Sequence, residues 1–252
     1  MRVLLDPRRP ADPGARVTAS DLAELYAFPR SRRWVRTSFV STLDGSAVGA
    51  DGRSGSINTP PDNRVFALQR DLCDAVLVGS RTVVAEGYER ITPSRRRAVA
   101  PALVVVSGSA RVPAGLAGPL AGRGAGLLVT CAGAGTAALT AARRSLGADA
   151  VIVVGEGAVD LPAALDALAG LGLRHLLCEG GPTLLAAALR AGVVDELALS
   201  VVPTLVGGDG TRITSGAALG GAGGIPLAPR LLVEEAGTLL GLWRVRRQAD
   251  GG

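Results

Sequence analysis

From residue 75 onward, short runs of Val, Leu and Ala alternate with stretches of helical period, and this alternation constrains the fold more than any other feature. Strands are predicted over 75–78, 103–106, 126–130, 151–154 and 175–178. Between and after them, helices are predicted from Arg81, over 136–146, over 162–171 and over 183–191. The strand runs are apolar on both faces, as strands covered on both sides must be. Strand and helix in this order build a mainly parallel sheet in a three-layer α/β/α domain. Aromatic residues are only 3% of the chain while apolar residues reach 48%, so the core must be packed from aliphatic side chains.

The flanks read differently. Residues 34–41 are a first strand, closed by the turn signal Leu43-Asp44-Gly45. A loop over 46–61, rich in Gly, Ser, Asn and Pro, leads to an amphipathic helix that opens at Asp62 and buries Val65, Phe66, Leu68 and Leu72. Loops of this length in a compact domain are more often functional than not. At the other end, 196–202, 230–236 and 238–246 read as strands joined by loops or a tight turn, hence antiparallel additions at one edge. Residues 1–30, rich in Pro and Arg, read as an N-terminal extension with at most a short helix near 21–26. Residues 31–252 read as a single domain.

Several function classes are excluded at this stage. All 27 basic residues are arginine, so Walker, Schiff-base and Ser–Lys chemistries have no lysine to use. The net charge of +5 is scattered, and no aromatics interleave with the arginine clusters, which argues against a nucleic-acid surface. Cys73, Cys131 and Cys178 are odd in number and far apart, which fits reduced thiols in the cytoplasm and argues against a zinc site. The single histidine, His175, starts an apolar strand. The chain shows no signal-peptide core and no apolar run of membrane-spanning length.

The segment Cys178-Glu179-Gly180-Gly181-Pro182-Thr183-Leu184-Leu185-Ala186 carries the strongest functional signal. A buried strand, a glycine pair and a helix N-terminus with Pro182 in its first turn make a ready anion site, because first-turn N–H groups lack partners. Three further strand ends resemble it in kind: Gly79-Ser80-Arg81-Thr82, Ser107-Gly108-Ser109 and Gly155-Glu156-Gly157. Ligands of open α/β sheets bind at such ends. Four small-residue loops along one edge predict a long ligand with phosphates at intervals, as a dinucleotide is. The G-x-G-x-x-G fingerprint of a standard Rossmann domain is not present.

Five motifs, in order, resemble the reductase domain of bifunctional riboflavin-biosynthesis deaminase–reductases, the RibD C-terminal-domain family. They are Phe39-Val40-Ser41-Thr42-Leu43-Asp44-Gly45, the run from Asp74 to Val83, Cys178-Glu179-Gly180-Gly181-Pro182-Thr183-Leu184, Val194-Asp195-Glu196-Leu197, and Val202-Pro203. The resemblance implies a dihydrofolate-reductase-like fold with antiparallel C-terminal strands, NADPH as hydride donor and a homodimer. It further implies a riboflavin-pathway pyrimidine reductase, of the 5-amino-6-(5-phosphoribosylamino)uracil reductase type. A dihydrofolate or pterin reductase, and an NADPH-binding homologue without turnover, are the alternatives. Two departures fall in the substrate half: Ser46 stands where riboflavin-pathway reductases often carry lysine, and Glu86-Gly87-Tyr88 replaces an aspartate pair and proline.

The expected cofactor residues are Gly79, Arg81, Thr82, Val83, Ser107, Val154, Gly155, Glu179, Gly180, Gly181, Pro182, Thr183 and Leu184. Arg81 is the cation for a 2′-phosphate or pyrophosphate. Glu179, which would repel phosphate, is assigned to orienting the loop or the nicotinamide amide. Asp62 is the first choice for the group that positions or protonates the acceptor, with helix N-capping as its alternative role and Asn63 one register position away. Asp44 is the second catalytic candidate, with turn formation as its alternative. Arg64 and Glu86 are substrate-side candidates. No metal is expected. Apolar strands late in the chain, at a sheet margin where an open edge invites association, point to a homodimer through them.

Overall fold

A computed structural model of the chain describes residues 1–6, 14–118 and 122–246. Their strands form one ten-stranded sheet, in the order β1-β9-β10-β8-β2-β7-β3-β4-β5-β6. The strands are β1 (Arg2–Leu5), β2 (Trp34–Thr42), β3 (Ala75–Gly79), β4 (Ala102–Val106), β5 (Gly126–Thr130), β6 (Val151–Val153), β7 (His175–Gly180), β8 (Glu196–Val202), β9 (Leu227–Glu235) and β10 (Thr238–Val245). The helices are α1 (Ala19–Leu25), α2 (Pro60–Leu72), α3 (Ser80–Glu86), α4 (Ala114–Ala117), α5 (Thr136–Leu146), α6 (Leu161–Gly170) and α7 (Pro182–Arg190). From β8 to β6 every pairing is parallel, and β10, β9 and β1 extend the sheet antiparallel. The predicted mainly parallel sheet with an antiparallel C-terminal part is the one observed. One detail differs, because β8 runs parallel to β2 and the reversal comes only at β10.

Helices cover both faces. On one, Val83 of α3, Leu116 of α4 and Ala142 of α5 pack with Val76, Val78, Leu103 and Val105 of the central strands. On the other, Leu161, Leu165 and Leu168 of α6 and Leu184 and Ala188 of α7 cover Leu77, Val104, Leu176 and Cys178. The alternation of these two sets along each strand is why the runs are apolar throughout. A third cluster joins Leu22 and Leu25 of α1 to Val65 and Leu68 of α2 over Leu231, Val233, Leu240 and Leu242.

The segment read as an extension therefore supplies an edge strand and a core helix. Arg2 and Val3 pair with Glu234 and Val233 of β9, and Thr18 closes a capping box with Asp21 at the start of α1. A four-residue strand has too short a pattern to declare itself without its partner.

Helix α2 begins at Pro60, two residues before the expected start. Thr59 is its N-cap and its hydroxyl accepts from the Asp62 N–H. Asp62 is thus released from capping. Among the described residues no helix is long and apolar enough to cross a membrane, and no group of three or more His, Cys, Asp or Glu is placed to hold a metal ion.

Candidate active site

Adjacent strands β3 and β7 send their following helices to opposite faces, α3 to one and α7 to the other. Such a divergence opens a crevice at the strand carboxyl ends. The glycine pair lies at its centre, joined by a cis peptide bond. Gly180 has φ +97°, and a Cβ there would sit 2.8 Å from the Phe39 ring. A Cβ on Gly181 would sit 2.5 Å from the Thr82 hydroxyl. Neither position has room for a side chain, so backbone forms the crevice wall.

A cavity of about 640 Å³ runs along these strand ends. Gly79, Arg81, Thr82, Ser107, Gly181, Pro182, Thr183 and Leu184 line it, together with Gly108 and the stretch Gly157-Ala158-Val159. All four predicted loops therefore meet in one place. Arg81 donates to the Thr183 hydroxyl at 3.0 Å, and that oxygen lies 3.1 Å from the Ser215 hydroxyl. Four residues expected at the cofactor stand behind this surface. Val83 is buried in the core beneath α3. Val154 and Gly155 shape the loop instead: Gly155 has φ +85° and its carbonyl accepts from the Ala132 N–H, which leaves Gly157–Val159 to face the cavity. Gly180 backs onto Phe39 and lines neither cavity.

A second cavity, of about 270 Å³, adjoins the first at Thr82, Ala85, Gly181 and Pro182. The long loop after β2 closes over it through Ala47, Val48, Gly52, Ser54 and Asn58, while β2 contributes Ser38, Phe39 and Val40. Helix α2 presents Asp62 and, one turn on, Phe66. Asp62 is buried, and burial pushes its carboxyl above the usual carboxylate range, opposed in part by a hydrogen bond from Ser200. Glu86, at the end of α3, accepts from both the N–H and the hydroxyl of Ser54 at 3.2 Å.

Glu179 also lines this cavity, but its oxygens are engaged. Arg70 of α2 donates to them at 2.7 and 2.6 Å, and the Tyr88 hydroxyl donates at 2.8 Å. The guanidinium also lies over the Phe66 and Tyr88 rings, 4.4 and 5.5 Å from their centroids. Where β7 passes β3 the partner of the chain jumps from Cys178 to Gly180, so Glu179 sits at a register break that gives it no partner on β3. These bonds anchor the strand end that carries the glycine pair. Tyr88, part of the departing Glu86-Gly87-Tyr88 segment, completes this anchor, and Gly87 in the left-handed region ends α3 so that the chain can turn to it.

Three candidates are taken elsewhere. Asp44 accepts from the Thr42 hydroxyl and from the N–H groups of Val206 and Gly207, at 3.0 and 2.7 Å for the latter two. These bonds, the Thr42 hydroxyl first, hold its carboxyl below the usual range. It ties the turn after β2 to the loop after β8, outside both cavities. Arg64 pairs with Glu235 on the outer side of α2, and Asn63 accepts from Asn58 on the exposed surface. A helix puts positions 63 and 64 more than a quarter and more than half of a turn away from 62, so the helical period that brings Asp62 inward turns them out. Ser54, Asn58, Phe66, Arg70, Tyr88, Ser200 and Thr211 were not legible as site residues, since only tertiary contacts gather them.

The RibD C-terminal domain model matches residues 33–230. The chain belongs to that family. Among curated relatives of this RibD C-terminal domain chain is the 2,5-diamino-6-ribosylamino-4(3H)-pyrimidinone 5′-phosphate reductase of Methanothermobacter thermautotrophicus, 33% identical over 184 residues, covering 72% of this chain and 82% of the relative. The reductase of the same name from Archaeoglobus fulgidus is 29% identical over 186 residues, covering 70% and 83%. A crystal structure of a pyrimidine reductase-like protein from Corynebacterium diphtheriae superposes with a TM-score of 0.76 at 22% identity, covering 90% of this chain and 99% of that one, and shares the fold.

Proposed function

We propose that this chain is an NADPH-dependent reductase of an amino-substituted, ribosylated pyrimidine of riboflavin biosynthesis. The observation that carries the reading is the junction of two cavities at Thr82, Gly181 and Pro182, with a buried carboxyl, Asp62, in the smaller one. The larger cavity suits a dinucleotide: its wall is backbone at Gly181, its rim carries hydroxyls, and Arg81 offers a guanidinium for phosphate. When bound there, the nicotinamide supplies a hydride. The chain's own residues hold the acceptor beside it, with Asp62 placed to position the ring or hold the proton that balances the transfer, and Glu86 and Ser54 lining the same cavity. Buried, unpaired Cys73, Cys131 and Cys178 agree with a cytoplasmic enzyme.

A homodimer belongs to the same reading, through the C-terminal strands the sequence pointed to but by their face and not by an open edge. Strands β8 and β10 are interior, and the margin of β9 is covered by β1, so no free edge exists there. Instead Leu197, Leu199, Val201, Leu232, Leu239 and Trp243 share one face of β8–β10–β9 by register. All six are half-buried and belong to none of the helix-covered clusters among the described residues. A second copy would cover this face.

The test is NADPH oxidation, followed by absorbance, with a ribosylaminopyrimidine (with and without its 5′-phosphate) and with a dihydropterin. Turnover of the pyrimidine is expected. Turnover of the pterin alone would move the activity to folate chemistry, and NADPH binding with no acceptor reduced would make the chain a binding homologue.

A further inference from the structure

The Ser38 hydroxyl has its orientation set from behind the acceptor cavity. Ser38 of β2 lines that cavity, and Gln69 of α2 donates its Nε2–H to the Ser38 oxygen at 3.1 Å. Accepting from Gln69 turns the Ser38 proton away from α2, and among the described residues no acceptor is paired with it. Gln69 is 2% exposed, and its Oε1 is buried without a hydrogen-bond partner. A half-satisfied buried amide disfavours folding, and a leucine of similar size would fill the same place without that penalty. Packing gives no reason for the glutamine, whereas aiming the serine does. Asp62, Phe66 and Gln69 fall on one face of α2 at the i, i+4, i+7 spacing. Asp62 bonds Ser200, the register partner of Val40, and Ser38 is two residues before Val40 on β2. A strand spans about 7 Å over two residues, comparable to the edge of a substituted pyrimidine, so one ring in the cavity can reach both Ser38 and Asp62.

Resting on the reductase reading above, we propose that Ser38 is a specificity-determining residue of the acceptor site. Its O–H donates to a ring oxo group of the heterocycle, while Asp62 accepts from the N–H or amino group next to that oxo. Gln69 is the positioning residue that keeps the hydroxyl in its donor role. Asp62 offers an acceptor oxygen with or without a proton, so the pair reads a donor–acceptor edge, as an oxo- and amino-substituted pyrimidine presents. Replacing the oxo group by an amino group sets two donors against each other and leaves the hydroxyl proton unpaired, which disfavours the analogue. The selection acts on the ring and is independent of what the ribose carries.

Two measurements on the intact protein test it. Calorimetric titration in the presence of NADP⁺ uses two probes that differ in one group, 2,4-diamino-6-oxopyrimidine and 2,4,6-triaminopyrimidine, at a pH where both are uncharged. The wild type is expected to bind the oxo compound more tightly, and Ser38→Ala to lower the oxo-over-amino affinity ratio by about tenfold, the worth of one hydrogen bond and the unpaired group it leaves. Ser38→Thr keeps the hydroxyl and is expected to keep the ratio, while Gln69→Leu frees the hydroxyl and is expected to lower it by about threefold. A role in the fold alone would weaken both probes alike. An unchanged ratio in Ser38→Ala, an amino preference in the wild type, or no binding of the oxo compound overturns the proposal. In turnover with NADPH, Ser38→Ala should raise KM for the ribosylaminopyrimidine about tenfold with kcat within about twofold, and an unchanged KM also overturns it. The expected ratios in a protein that reduces no acceptor would retire the reductase reading and leave the Ser38 assignment standing.

Discussion

Asp62 shows how one residue is freed for chemistry by its neighbour. Thr59 takes the cap, so the carboxyl turns inward to Ser200 and the cavity. Asp62→Asn should therefore leave the fold intact and lower turnover by roughly 10²–10⁴-fold, with NADPH affinity near wild type. Because its pKa is raised in the folded state, the native protein binds the extra proton, and stability falls as pH rises from the ordinary carboxylate range through the raised value. Urea unfolding of Asp62→Asn against wild type should show the variant gaining relative stability over that window, and a flat difference would mean the carboxyl is not desolvated. If Asp62 is the proton donor, kcat/KM of the wild type falls over the same pH window and the variant's profile loses that limb. Gly180 is constrained for a different reason, since its φ of +97° and the Phe39 ring both exclude a Cβ. Gly180→Ala should cost about 1–3 kcal/mol in denaturant unfolding and weaken NADPH binding in a fluorescence titration.

Between elements, the Arg70–Glu179 pair connects α2 to β7 at the point where β7 becomes the glycine turn. The Glu179 side chain is 1% exposed, so removing its partner leaves a buried carboxylate held by Tyr88 alone. Arg70→Met should cost about 3 kcal/mol in thermal or urea unfolding, and Arg70→Met with Glu179→Gln should recover much of that loss. If the double variant is no more stable than the single one, the pair is not the connection described. The strands and helices of the parallel region were legible because each buries a repeating apolar face; α5 and β8 have the bounds the sequence predicted. The start of α2 was misplaced by two residues because Thr59 and Asp62 are both good caps, and only the turn geometry chooses between them.

For the molecule as a whole, the open face of β8–β10–β9 carries the assembly prediction. Leu239→Arg on that face should give a monomer by light scattering at micromolar concentration while NADPH binding, on the far side of β7, is kept; a wild type that is already monomeric would refute the dimer. The sequence by itself determined the α/β class, the parallel centre, the four strand-end loops and the family, because each depends on local period, turn chemistry or a contiguous motif. Tertiary structure decided the rest. It placed β1 in the sheet, sent Asp44 and Arg64 away from the cavities, and paired Glu179 with residues 109 and 91 positions distant. Contacts of that range leave no period in a single chain. Which carboxylate is paired, which is merely hydrogen-bonded and which faces a ligand is settled only when β7 inserts between β2 and β3 and brings α2 and α3 over the same crevice.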